Sequence, residues 1–228
     1  MILLIEDRAK RQKLFMEDTN VNLEIYSDIL ENCIDEKYDK FLQGVLHDDF
    51  DFTPYDVIIT HKSAYDKDNI KILDILKNHC KTHKKSLVLF SGGVDKNYYD
   101  NSNYELIITN SKVFYSKNLQ LFLESYRQNY HKLLMLIYGE RYKLNIALNI
   151  FESLSLYIEK NKGQETINYK KLIKAMSKSK SKVDMDLLED IQFEFQIEKN
   201  KFNKVAFENI VALQKSLEQY IKESIENE

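Results

Sequence analysis

The sequence predicts a parallel α/β domain in its first half, followed by a mainly α-helical region. Short, nearly continuous apolar runs alternate in the first half with helix-length stretches, the pattern of a parallel sheet covered by helices. The chain has only five Gly and one Pro in 228 residues, too few for an all-β fold with many tight turns. Beyond Asn118, apolar residues recur at three- and four-residue steps, which is typical of amphipathic helices.

Five strands are predicted in the first domain. Four of them consist almost entirely of bulky or β-branched residues, as strands buried on both faces require. These are residues 2–5, 57–60, 86–90 and 105–109. Residues 21–26 alternate apolar with polar side chains and are predicted to form an edge strand. Helices are predicted at residues 9–16 and 70–84. The polar, Asn-rich stretch 95–103 is a poor candidate for the fourth helix and reads also as a loop.

The second half is predicted to be helical, with domain bounds of 1–127 and 128–228. One apolar series starts near Ser116 and is expected to continue past residue 127, with Gly139 as a hinge; further helices are predicted over 144–158 and 206–225. Their apolar stripes either pack within one small bundle or form a dimer seam with another chain. Residues 166–207 fit two structures: a winged-helix-like plan with a hairpin, or continuous helix through 184–207.

Composition excludes several classes of protein. With 43% hydrophobic and 30% charged residues the chain is globular, and its net charge of −3 excludes a globally basic nucleic-acid binder. Cys33 and Cys80 lie far apart, without the ligand spacing of a structural zinc site, so they are expected to be reduced thiols. No run approaches the ~20 apolar residues of a membrane span, and no phosphate-loop or dinucleotide-binding motif occurs. We therefore expect a cytoplasmic protein with no membrane contact and no cofactor.

Polar side chains stand at the ends of three predicted strands. Glu6 and Asp7 follow the first strand (ILLIED), and Ser91 with Gly92 closes the fourth (LVLFSG). Lys112 follows the fifth strand in the segment KVFYSKNLQLFL. Because the carboxyl ends of parallel strands share one edge of a sheet, these side chains are expected to line a common rim.

In order and spacing, these segments resemble the receiver domains of bacterial two-component response regulators, over residues 1 to about 127. The resemblance implies a flavodoxin-like five-stranded sheet in which an acidic pair holds Mg²⁺, a hydroxyl contacts the phosphoryl group and a lysine pairs with it. Glu6 and Asp7, Ser91, and Lys112 take these places, and the aromatic residue of the family's Lys-Pro-aromatic pattern matches Phe114. Val113 replaces the proline. Taken alone, acidic residues after the first strand more often cap the first helix, so Glu6 and Asp7 indicate a metal site only weakly and none is assigned.

The third strand departs from the family. Receivers there read Tyr-Asp, four apolar residues and the phosphorylated Asp, whereas this chain has Tyr55, Asp56 and then His61 at the acceptor position. An acyl phosphate cannot form on a histidine or on the preceding Thr60. A phosphohistidine at His61 is a minor alternative, because a neutral histidine at a strand end is commonly just hydrogen-bonded. The rim of Glu6, Asp7, His61, Ser91 and Lys112 therefore belongs to a degenerate receiver.

A lysine-rich segment is the second candidate site. It could contact nucleic-acid phosphates, although it lacks arginine and interleaved aromatics and reads also as a solvated loop. Its members are Lys170, Lys171, Lys174, Lys178, Lys180 and Lys182.

The predicted function is a non-enzymatic regulatory or signalling protein whose receiver-like domain binds a protein partner or a second copy of the chain. The alternative is an atypical response regulator that binds DNA through the C-terminal region. An enzyme using Glu6, Asp7 and His61 with a divalent metal ranks last, because no general acid–base set can be named.

Overall fold

The computed structural model describes residues 1–65, 70–129, 132–168, 170–172 and 204–226. The chain divides into two compact units, Met1–Glu140 and Arg141–Glu228. None of the described helices is both long and apolar enough to cross a membrane.

The first unit is built on a six-stranded sheet. Its strands are β1 (Ile2–Ile5), β2 (Leu30–Cys33), β3 (Val57–His61), β4 (Ser86–Ser91), β5 (Tyr98–Asp100) and β6 (Leu106–Asn110). They lie in the order β2-β1-β3-β4-β6-β5, and all neighbours are parallel except β5 and β6. The five parallel strands thus follow the 2-1-3-4-5 order compatible with a flavodoxin-like fold.

The described residues of this unit form the α-helices α1 (Ala9–Thr19), α2 (Glu36–Leu46), α3 (Ile70–His83), α4 (Ser111–Phe114), α5 (Lys117–Arg127) and α6 (Met135–Tyr138). Strands β1, β3 and β4 are almost wholly buried, as their apolar sequences predict. One core cluster joins alternate strand residues such as Ile58 and Leu87 to Phe41 of α2 and Leu76 of α3. Successive residues of a strand point to opposite faces of the sheet. The side chains that follow Ile5, Thr60 and Leu89 therefore point away from the face on which these three lie; they are Glu6, His61 and Phe90.

The predicted edge strand at 21–26 is wrong. Glu24–Tyr26 forms a 3₁₀ turn, in which the Asn22 Oδ1 accepts from the Glu24 N–H at 2.9 Å. Val21 and Tyr26 are buried, which explains the apolar pattern, but the edge strand is β2, a few residues later. Its sequence, LENC, has no β-branched residue and so gives a weak strand signal.

The segment 95–103 is neither a helix nor merely a loop. It contains β5, which extends the sheet beyond β6 as an antiparallel edge strand. Tyr99 is buried there and its hydroxyl donates to Glu105 at 2.9 Å, whereas Tyr98 is exposed. Three residues are too few for alternation to be recognised from sequence.

The helix predicted to run on past residue 127 is also wrong. α5 ends at Arg127, and Asn129 has a left-handed φ of 61°. Gly139 closes α6 with φ +58°, and a Cβ at this position would lie 2.5 Å from Asn118 Oδ1. A glycine is therefore required where the first unit ends.

The second unit contains α7 (Tyr142–Lys160), an antiparallel pair of β7 (Thr166–Asn168) with β8 (Lys204–Ala206), and α8 (Phe207–Glu226). α7 packs on α8, and the side-chain amide of Gln214 donates to Ser155 Oγ at 2.7 Å. Residues 173–203 lie outside the described part, and with them the predicted winged-helix-like hairpin. A mainly helical second domain therefore stays a prediction.

Candidate functional site

The strand register places the predicted rim along one edge of the sheet. Ile5 is level with Thr60, His61 with Phe90, and Ser91 with Asn110. Glu6 and Asp7 follow β1 directly, His61 ends β3, Ser91 ends β4 and Lys112 lies two residues beyond β6. Asp7 and His61 come close, with 3.7 Å between Oδ1 and Nδ1. Among the described residues, Ser91 and Lys112 make no hydrogen bond or ion pair with the other three.

Glu6 is completely buried and has four donors around its carboxylate. Both Nη2 and Nε of Arg11 contact it, the latter at 3.4 Å. The Arg8 backbone N–H donates at 3.1 Å, and the Tyr115 hydroxyl at 3.0 Å. Burial raises the pKa of the Glu6 carboxyl, and Arg11 opposes this by stabilising the anion.

Arg11 bridges the two rim acids. Its Nη2 contacts Glu6 and also lies 2.5 Å from Asp7 Oδ1, and Arg8 Nε lies 3.4 Å from the other oxygen of Asp7. The pKa of Arg11 is raised: burial would lower it, but the two carboxylates outweigh burial. Asp7 and Arg11 are four residues apart, the spacing that brings side chains together at the start of a helix.

This arrangement does not fit the Mg²⁺ that the receiver resemblance implies. Mg²⁺ requires oxygen ligands in near-octahedral geometry. The carboxylate oxygens of Glu6 and Asp7 already accept from Arg11. His61, at the end of β3, could offer only a nitrogen. In the parts of the chain described above, no three His, Cys, Asp or Glu residues form a group that could hold a metal ion. The guanidinium occupies the position that a bound cation would need.

His61 is held neutral by its surroundings. Only 4% of the residue is exposed, and its ring packs edge-on against Phe90 at 5.3 Å. Burial lowers its pKa to about 4, helped by the positive charges of Arg11 and Arg8 and opposed by Asp7. Nδ1 has no hydrogen-bond partner within the described residues. At neutral pH the acceptor position thus holds an uncharged, buried imidazole.

An aromatic wall closes the inner side of the rim. Phe90 stacks on Phe114 with 4.4 Å between ring centroids, and Tyr115 packs against both rings and against Phe15. The hydroxyl of Tyr115 also lies 3.5 Å from the Gln12 side-chain amide, and burial raises the pKa of this tyrosine well above its ordinary value. Glu6, which accepts from the Tyr115 hydroxyl and is fully buried, is therefore sealed from water on this side.

Sequence reasoning missed Arg11 and Tyr115. For Arg11 the four-residue spacing from Asp7 was a usable signal. Tyr115 gave none, because its contact with Glu6 joins residues 109 positions apart.

Asn110 connects the turn that follows Ser91 to the start of α4, which carries Lys112. Its Nδ2 donates to the carbonyls of Gly92 at 3.2 Å and Val94 at 3.0 Å, while Oδ1 accepts from the Lys112 N–H at 2.9 Å. The Ser91 hydroxyl lies 3.5 Å from the Gly93 N–H and stabilises the same turn. The Lys112 side chain is exposed and forms no ion pair with any described residue.

The lysine-rich segment is described only at its start. Lys170 and Lys171 are exposed, and the Lys171 N–H donates to Asn168 Oδ1 at 3.2 Å. Lys174, Lys178, Lys180 and Lys182 lie outside the described residues. Nucleic-acid contact by this segment, and DNA binding with it, stay predictions.

Comparison with known proteins adds no relative: no family model, curated protein or solved structure matches the chain.

Proposed function

We propose that this chain is a non-enzymatic regulatory protein whose first unit acts as a receiver-like domain that is not phosphorylated and binds a protein partner. The observation that carries the proposal is the state of the rim. A buried, neutral His61 lies beside an acidic pair that Arg11 already bridges.

The rim lacks the chemistry of phosphoryl acceptance. Transfer to a receiver needs a carboxylate nucleophile and a divalent cation to neutralise the incoming oxygens. Here the nucleophile position holds an imidazole, and the cation is part of the protein. Because Arg11 is covalently part of α1, its charge is present at all times and no input is needed to supply it. The first unit would therefore hold one conformation.

The docking surface proposed for the partner is the face formed by β4, β6 and α5. Lys112 and Lys117 are exposed where β6 leads into α5, and neither forms an ion pair within the described part of the chain. The far end of α5 is fixed: Arg127 contacts Asp28 through both Nε (3.1 Å) and Nη2 (2.5 Å). A partner would thus meet a preformed surface and lose little free energy to ordering it.

A capture experiment with charge reversals tests this proposal. The full chain, tagged, is compared with the variants Lys112→Glu/Lys117→Glu and Lys81→Glu, the last an exposed lysine on α3. We expect one dominant protein to be retained from native lysate by the wild type and by Lys81→Glu, and to be lost from the double variant. Equal retention by all three would refute the docking face.

A phosphodonor experiment tests the other half of the proposal. After incubation with acetyl phosphate and Mg²⁺, the intact mass of the wild type should be unchanged. A mass increase of one phosphoryl group would contradict this half of the proposal, and fragmentation of the protein would show whether the group is an acyl phosphate on a carboxylate or a phosphoramidate on His61.

A further inference from the structure

The C-terminal end of α3 carries a pair of histidines that the proposed function does not use. His79 and His83 are four residues apart, so both side chains project from the same side of the helix. Their ring centroids lie 4.5 Å apart, with an angle of 35° between the ring planes. His79 is half-buried and precedes the fully buried Cys80, whereas His83 is exposed. The pair therefore stands at the boundary between the core face of α3 and solvent.

One nitrogen of this pair is buried without a hydrogen bond. No described residue donates to or accepts from His79 Nε2. The same ring packs on Phe52, with 4.8 Å between the centroids. Burial lowers the pKa of His79, and the charges of His83 and Lys85 lower it further. At neutral pH this ring is therefore uncharged, the form in which an imidazole binds a metal ion.

The separation of the two rings matches bidentate coordination of a metal ion. With a metal–nitrogen bond of about 2.1 Å, the ion lies about 3.2 Å from the centroid of each imidazole ring that binds it. For nitrogen–metal–nitrogen angles between about 90° and about 109°, the two centroids are then about 4.5 to about 5.2 Å apart. The observed 4.5 Å falls at the short end of this range. Coordination therefore requires rotation of the side chains and no movement of the helix.

The electrostatic surroundings also favour a cation here. The carbonyl groups at the C-terminal end of a helix carry partial negative charge, which stabilises a positive ion beside them. Two lysines follow the helix, but both are engaged elsewhere. Lys85 forms an ion pair with Asp56 at 3.1 Å, and the Lys84 ammonium group donates to the Asn103 carbonyl at 2.8 Å.

We propose that His79 and His83 bind one divalent transition-metal ion of the class that prefers imidazole nitrogen, such as Zn²⁺ or Cu²⁺, with water completing its coordination. Imidazole suits these ions, whereas Mg²⁺ and Ca²⁺ take oxygen ligands. No third His, Cys, Asp or Glu among the described residues joins the pair. With two protein ligands the affinity is lower than that of a four-ligand structural zinc site. The bound ion would join successive turns of α3 and hold the His79 ring against Phe52.

This site is separate from the rim and from the docking face of the proposed function. Because β4 begins at Ser86, directly after α3, the end of α3 lies at the edge of the sheet where strands begin. The rim lies at the opposite edge. Metal binding at α3 and partner binding at the β4–β6–α5 face can therefore fail independently.

Calorimetric titration of the full chain with Zn²⁺ at pH 7.5 tests the proposal, on protein purified without a histidine tag. His83→Ala removes one ligand from an exposed position, where folding is little affected. His83→Ala/Lys81→His restores the number of histidines but puts the second one two residues from His79, on another side of the helix. His47→Ala removes an exposed histidine outside α3.

We expect the wild type and His47→Ala to bind one Zn²⁺ with equal affinity. Both variants that lack His83 should bind at least about tenfold more weakly, because two-point attachment is lost. Zn²⁺ should raise the Tm of the wild type but not that of His83→Ala, whereas Mg²⁺ should give no binding heat. In NMR spectra, substoichiometric Cu²⁺ should broaden the ring signals of His79 and His83 before those of any other histidine.

Four results would overturn the proposal. They are the absence of Zn²⁺ binding to the wild type, unchanged affinity in His83→Ala, recovery of affinity in His83→Ala/Lys81→His, and Cu²⁺ broadening centred on a histidine outside this pair. The third result would mean that histidine content, and not the four-residue spacing, determines metal binding.

Discussion

The buried imidazole of His61 predicts a specific loss of stability in mild acid. In the folded first unit its pKa is about 4, against an ordinary value of 6.5. Between these values the unfolded chain binds a proton on this residue and the folded chain does not. The free energy of unfolding should therefore fall as the pH falls from 6.5 towards 4, and this contribution should be constant above pH 6.5.

The magnitude follows from the two pKa values. Each tenfold difference in proton affinity is worth about 1.4 kcal/mol. The difference between the ordinary pKa of 6.5 and the folded-state pKa of about 4 therefore corresponds to a loss of about 3 kcal/mol in the free energy of unfolding. Little is lost to solvent screening, because the residue is 4% exposed. The charged groups facing the ring act in both directions: Arg11 and Arg8 oppose protonation, and Asp7 favours it.

The assay compares the wild type with His61→Gln, which cannot titrate. Urea unfolding is measured from pH 4 to pH 7.5 and read by amide hydrogen exchange in β1 and β3, so that only the first unit is followed. Carboxylates that titrate in the same range contribute to both proteins and cancel in the difference. The wild type should lose about 3 kcal/mol more than the variant across this range.

If the free energy of unfolding changed equally with pH in the wild type and in His61→Gln, this reasoning would be refuted. So would a direct NMR titration that places the His61 pKa at or above 6.5 in the folded chain. Either outcome would mean that Asp7 offsets the effect of burial on the pKa of His61.

Three further predictions concern other contacts of the first unit. Arg11→Gln leaves the carboxylates of Glu6 and Asp7 without their cation and should lower the free energy of unfolding in urea by about 3 kcal/mol at neutral pH. Millimolar Mg²⁺ should then raise the Tm of this variant. An equal rise in the wild type would contradict the proposal that Arg11 takes the place of a bound cation. Gly139→Ala should destabilise by at least about 1 kcal/mol, through both backbone strain and overlap, and by more than Gly163→Ala, where φ is also positive but the space is open. Tyr126→Phe removes the 2.9 Å hydrogen bond to Asp56, so the pKa of Asp56 should rise from about 2 in an NMR titration. The loss of stability should stay below about 1 kcal/mol, because the Asp56 carboxylate is largely exposed.

Local pattern was a sufficient guide where one short stretch of chain determines the structure. The apolar runs of β1, β3 and β4 predict buried strands because only strands covered on both faces tolerate such sequences. The apolar run at β6 also predicts a strand, but the residues of β6 alternate between buried and partly buried. The edge strands were mispredicted because the short stretches that form them do not determine their structure locally. β2 and β5 are short, and neighbouring strands and loops, not their own residues, determine their pairing.

The sequence by itself determined which polar residues stand at the strand ends. Because the carboxyl ends of parallel strands share one edge of the sheet, any parallel arrangement of these strands brings their terminal side chains to that edge, namely those of Glu6, Asp7, His61, Ser91 and Lys112. Only the tertiary structure decided the chemical state of that edge. The Arg11 bridge, the sealing Tyr115 ring and the depressed pKa of His61 depend on burial and on contacts between distant parts of the chain. Electrostatic free energies depend on how far water is excluded, and spacing along a sequence does not report that.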